Sequence, residues 1–198
     1  MIVITDRTQC KRPLEEQLEA ICVAEPEMVI LREKDMSHDE LMILASACLD
    51  ICERHGIPLS INSDIEVAEQ LDICRIHLPM HLLRLGVPPT FTLVGASVHS
   101  REEAKEAEDL GADYLIAGHI YCTACKTTEP RGTGFLESIC DSVDIPVYAV
   151  GGVTPENYLE ILEKGATGGC CMSSMMRSSD PGRLIRGMND VRDSYYGG

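Results

Sequence analysis

Short apolar runs recur along the chain, each followed by a longer stretch in which apolar positions fall three and four apart. The runs cover residues 2–5, 28–32, 57–61, 73–77, 92–97, 114–117, 146–150 and 168–172. Runs so brief and nearly unbroken are expected of parallel strands covered on both faces. Between them the spacing turns helical. A helix is expected from near Pro13, with Leu14, Leu18, Ile21 and Cys22 on one face, and another with Leu41, Leu44, Cys48, Ile51 and Cys52 buried. Ser37 with Glu40, and Ser100 with Glu103, have the spacing of capping boxes. Gly56, Gly111 and Gly165 are placed to end helices, and Thr154-Pro155 and Asp180-Pro181 to begin them. Shorter helices are expected over 64–71 and 81–85, the second hardly two turns.

Eight strands alternating with helices predict an α/β protein, a single (β/α)8 TIM barrel with short loops spanning residues 1–198 as one domain. An open doubly wound sheet is the alternative. Residues 5–9 after the first strand contain no glycine, so the dinucleotide fingerprint is absent. At 198 residues the chain is short for a barrel, and its loops must be tight.

Charge narrows the partners. Seventeen basic and 32 acidic residues give a net charge of −15. With no basic cluster, neither nucleic acid nor an anionic membrane is an expected partner. Asp6 and Arg7 interrupt the apolar start, so no secretory signal is expected, and no run approaches the ~18 residues of a membrane span. The reading is a cytoplasmic protein whose ten scattered cysteines are reduced thiols. Barrels of this size often pair, and the sequence leaves a homo-oligomer open.

In a barrel the carboxyl ends of the strands share one rim. That rim would carry Arg32, Lys34, Asn62, His77, Ser97, His99, His119, Thr123, Lys126, Gly151, Gly152, Ser173 and Ser174. Donors and cations gathered there, in an acidic chain, suggest an anionic small molecule. Gly151-Gly152 and Ser173-Ser174 follow the last two strands, where barrels often bind phosphate; tight turns and a helix cap are the plainer reading. His119 is a candidate acid/base or a structural histidine at a strand end. His119, Cys122 and Cys125 have ligand-like spacing, and Cys122-x2-Cys125 that of a redox pair, though a closed zinc site usually needs four ligands. Residues 127–134 read either as an ordinary loop or as a flap over the rim.

Several of these residues form a familiar set. Arg32-Glu33-Lys34, Asn62, Thr123 with Lys126, residues 146–157 and Ser173-Ser174 resemble the thiamine phosphate synthase/TenI superfamily over almost the whole chain. The resemblance implies a barrel that handles the phosphorylated thiazole half of thiamine. The synthase branch couples a pyrimidine diphosphate to the thiazole phosphate, using magnesium. This chain departs from that pattern. Ile30 stands where the synthase has glutamine, and Asn62-Ser63 where it has Asn-Asp. Leu78-Pro79-Met80-His81 offers no second carboxylate, although Asp64 lies next to the missing first one.

Ser97-Val98-His99-Ser100, Gly118-His119 and Arg131-Gly132 are similar to the other branch, the thiazole tautomerases. That likeness implies an isomerase with His119 as catalytic acid/base and no cofactor, aromatising a 2-carboxy-4-methylthiazole ethyl phosphate tautomer. Gly151, Gly152, Ser173 and Ser174 would hold the phosphate. Arg32, Lys34, Asn62, Ser97, Thr123 and Lys126 would meet the rest of the substrate. The expectation is therefore a thiazole tautomerase without a metal site. The alternatives are a magnesium-dependent thiamine phosphate synthase or a non-catalytic barrel that binds a phosphorylated ligand.

Overall fold

The structure is a computed structural model that describes residues 1–123 and 128–197. In chain order its elements are β1 (Ile2–Ile4), α1 (Leu14–Cys22), β2 (Met28–Leu31), α2 (His38–Arg54), β3 (Leu59–Asn62), α3 (Ile65–Gln70), β4 (Arg75–Pro79), α4 (Met80–Leu83) and β5 (Leu93–Val98). There follow α5 (Arg101–Asp109), β6 (Tyr114–Gly118), α6 (Gly132–Cys140), β7 (Val147–Val150), α7 (Tyr158–Glu163), β8 (Gly168–Cys171), α8 (Ser173–Arg177) and α9 (Pro181–Tyr196). The strands are parallel, each pairs with the next, and β8 returns to β1 to close the barrel. The predicted (β/α)8 fold is what the chain forms.

Strand alternation builds two cores. Val3, Val29, Leu31, Leu115, Ala117, Ala149 and Cys171 point outward, into the layer shared with the helices. Ile2, Ile4, Met28, Ile30, Tyr114, Ile116, Tyr148 and Cys170 point inward and fill the barrel. Both faces are apolar, which is why these strands read as continuous runs. The inward positions of β3, β4 and β5 differ. Ser60, His77 and Ser97 occupy them, so one side of the interior is polar.

Some boundaries moved. Ile57 N–H donates to Cys52 O at 2.9 Å to close the end of α2, and Pro58 has no N–H; β3 therefore starts later, at Leu59. Ile73 N–H is likewise spent on Ala68 O (2.8 Å), which shifts β4 to Arg75–Pro79. The Ser37–Glu40 capping box forms in both directions. The second forms by half. Ser100 Oγ accepts from Glu103 N–H, but the Glu103 carboxylate takes the N–H of His99 instead. Helix α8 was not anticipated.

The interior is filled by aromatic rings. Tyr114 pairs across the sheet with Gly95, where an added Cβ would lie 2.1 Å from Tyr114 Cζ. Tyr148 meets Tyr114 edge-on at 5.9 Å between centroids, and its hydroxyl bonds to Glu27. Because Tyr114 is buried and packed on both sides, Gly95→Ala is expected to destabilise the protein by about 1–3 kcal/mol. A fall in the urea midpoint would report it; an unchanged midpoint would show that the ring can move aside.

Candidate active site

The carboxyl ends of the strands open into a cavity of about 590 Å³. Its floor is apolar, built from Ile4, Ile30, Ile116, Val150 and Cys170. These are inward-facing strand residues that a reading of strand ends overlooks; the period of two along each strand would have found them. Arg32, Lys34, Asn62, Ser97, His119, Thr123, Gly151, Gly152, Ser173 and Ser174 all line the walls, as do His77, His81 and His99. Lys126 lies outside the described residues, as does Cys125, and with it both readings of the cysteine pair.

On β2, alternation separates neighbours. Glu33 turns away from the cavity into a buried nest, where Thr5 Oγ1 donates to it at 2.7 Å and Arg7 N–H reaches both oxygens. Burial raises its pKa, against the pull of these donors. Arg32 and Lys34, on either side, face the cavity. The Arg32 guanidinium makes a long contact with Met172 Sδ (3.9 Å) and has no carboxylate within ion-pair distance among the described residues.

On β4, His77 is held at both nitrogens, by Tyr114 Oη (3.2 Å) and Ser97 Oγ (2.8 Å). Burial, with the nearby Arg32 charge, pushes its pKa down to about 3, so the ring is neutral. Two further imidazoles are oriented by carbonyls. His99 Nδ1 donates to Gly118 O (3.2 Å), and buried His119 donates through Nε2 to Thr128 O (3.1 Å).

Beyond β6 the chain stays beside β7. Ile120 N–H donates to Val150 O (2.9 Å) and Tyr121 N–H to Gly151 O (3.0 Å). That approach leaves no room for side chains on β7's turn. A Cβ at Gly151 would lie 2.2 Å from His119 Cβ, and one at Gly152 would lie 2.6 Å from Cys122 O; both glycines have positive φ. Beside them, after the neighbouring strand β8, Ser173 and Ser174 form the first turn of α8. Both loops line the cavity on its β7–β8 side.

A family model described as "Thiamine monophosphate synthase" matches residues 1–175. The chain belongs to this family. Among relatives, a thiamine-phosphate synthase from Syntrophomonas wolfei is 34% identical over 187 residues, covering 91% of this chain and 90% of its own. One from Natronomonas pharaonis is 31% identical over 191 residues, covering 91% and 88%. A solved structure, a thiamine phosphate pyrophosphorylase from Pyrococcus furiosus, superposes with a TM-score of 0.85 at 27% identity, covering 98% of this chain and 95% of that one.

These likenesses correct the functional expectation. The relatives carry the name of the synthase, a transferase, and the tautomerase (isomerase) reading is withdrawn. Gly118-His119 and Ser97–Ser100 drew that reading because a histidine after strand 6 stands out in sequence. Among the described residues no helix is long and apolar enough to cross a membrane.

The magnesium implied for the synthase branch does not fit the residues present. No carboxylate lines the cavity among the described residues. Asp64, the one substitute the sequence offered, caps α3 by accepting from Val67 N–H (2.9 Å) and lies 3.5 Å from His38 Nδ1. Magnesium is ordinarily anchored by one or two carboxylates beside substrate phosphates.

The buried His77 has a measurable consequence. Unfolded, an imidazole takes up its proton near pH ~6.5; folded, this one does so only at about 3. Between these values the unfolded state binds more protons. The contribution of His77 to stability is therefore complete above the unfolded value and is lost as the pH falls towards the folded one. Relative to His77→Gln, the native protein should lose up to about 1.4 kcal/mol of stability per pH unit in that window. Denaturant midpoints measured across pH check it; parallel profiles would contradict it.

Proposed function

We propose that this chain is a transferase of the thiamine phosphate synthase kind, joining a phosphorylated thiazole to a pyrimidine carried as its diphosphate ester. One observation carries the reading: the 34% identical relative, matched over nine-tenths of both chains, is named for that activity. The site is compatible with it, having two anion-suited regions on opposite walls above an apolar floor.

In this reading Gly151, Gly152, Ser173 and Ser174 hold the thiazole phosphate through backbone and hydroxyl donors. Ile4, Ile30, Ile116 and Val150 give the two flat rings an apolar bed. Arg32 and Lys34 meet the diphosphate, and Asn62, Ser97 and Thr123 orient the pyrimidine between them. The thiazole ring nitrogen attacks the pyrimidine's methylene carbon. A carbon–nitrogen bond forms as the carbon–oxygen bond breaks, and the electron pair leaves on the diphosphate. That nitrogen bears no proton to remove. His119 is accordingly a positioning residue in the wall rather than a base, its ring fixed by Thr128 O. Two substrates held in line save most of the entropy of encounter.

The test supplies both substrates and follows thiamine phosphate by mass spectrometry, in parallel with and without magnesium. The native protein should form it. Gly152→Ala, whose Cβ would press on Cys122 O, should lower kcat/KM for the thiazole phosphate at least about tenfold, about 1.4 kcal/mol of transition-state stabilisation. Substrate binding without product under both conditions would end the synthase reading and leave a binding protein.

A further inference from the structure

Among the described residues the cavity is lined by basic and neutral side chains and by no carboxylate. We propose that its β2–β4 wall is a diphosphate subsite that works without a divalent cation, with Arg32 as its principal anchor and Ser63 standing where a metal-bound carboxylate would be needed. That a diphosphate is the occupant rests on the synthase reading.

Three observations carry the inference. First, every charged side chain lining the cavity among the described residues is basic: Arg32 and Lys34, with imidazoles from His77, His81, His99 and His119 beside them. Second, the carboxylates closest in sequence to that wall are committed elsewhere. Glu33 is buried against Thr5 and Arg7, Asp35 is paired with Arg7 Nη1 at 2.7 Å, and Asp64 caps α3. Third, Asn62 Nδ2 donates to Ser63 Oγ at 2.8 Å, which leaves the Ser63 hydroxyl proton available to donate to an anion, and Ser63 brings no negative charge to the wall.

The physical alternatives differ sharply here. A magnesium ion on this wall would have the substrate's oxygens and water but no protein carboxylate, and it would sit among like charges. A guanidinium supplies two parallel N–H donors that match a pair of phosphate oxygens, and it carries its charge permanently. Half-buried Arg32 feels the charge of Asp6 but has no carboxylate within ion-pair distance among the described residues, so it brings lasting positive charge to this wall.

Calorimetric titration of inorganic diphosphate into the full chain in EDTA tests this directly. Binding should be seen, and added magnesium should not strengthen it. Arg32→Gln should weaken it at least about tenfold, one factor of ten being the loss of about 1.4 kcal/mol. Ser63→Asp should also weaken metal-free binding, and magnesium should then restore it. Ser63 has φ 71, a conformation that aspartate tolerates well, so this variant should fold. Absence of diphosphate binding in EDTA overturns the inference whatever the coupling assay gives. Coupling that needs magnesium also overturns it, with the synthase reading intact. Binding in EDTA with no coupling under either condition supports the subsite and sinks the synthase reading instead.

Discussion

The ring of Tyr114 occupies the space that a side chain at Gly95 would need, and the interior of the barrel depends on that exchange. It brings an aromatic residue across the barrel to meet Tyr148, and it sets a hydroxyl against His77. A histidine so deep would be costly if either nitrogen lacked a partner. Tyr114 and Ser97 supply both, and the ring stays neutral. The polar side of the interior can therefore line the cavity wall without introducing a buried charge.

The same division governs electrostatics. The chain is strongly acidic as a whole, yet the cavity carries Arg32 and Lys34 and no acidic side chain among the described residues. Exposed carboxylates elsewhere are screened over roughly 8–10 Å at physiological salt. Partly buried Arg32 is screened less, so local charge rather than net charge decides what enters. An acidic surface and a cavity lined by basic side chains are compatible because the two act over different distances.

Much of the fold was legible because the strands are buried on both faces, and continuous apolar runs announce that. What was harder to read depended on hydrogen bonds between distant residues. The late starts of β3 and β4 come from Ile57 and Ile73, whose N–H groups close the preceding helices. The rim residues were legible because barrels place chemistry at strand ends, and the cavity collects Arg32, His119, Gly151 and Ser174 alike. The apolar floor was missed because attention to reactive side chains skips Ile4 and Ile116. Reaction class was misread for a related reason: His119 is conspicuous in sequence, whereas its donation to Thr128 O is visible only in three dimensions.

The contact between the Gly151-Gly152 turn and residues 119–122 also constrains how such a protein can change over generations. The turn and the segment following β6 are too close for either to gain bulk independently. A single substitution on that side disturbs both, so viable steps there are few and must be paired. Descendants of this barrel should therefore hold the Gly151-Gly152 turn and the segment after β6 in common.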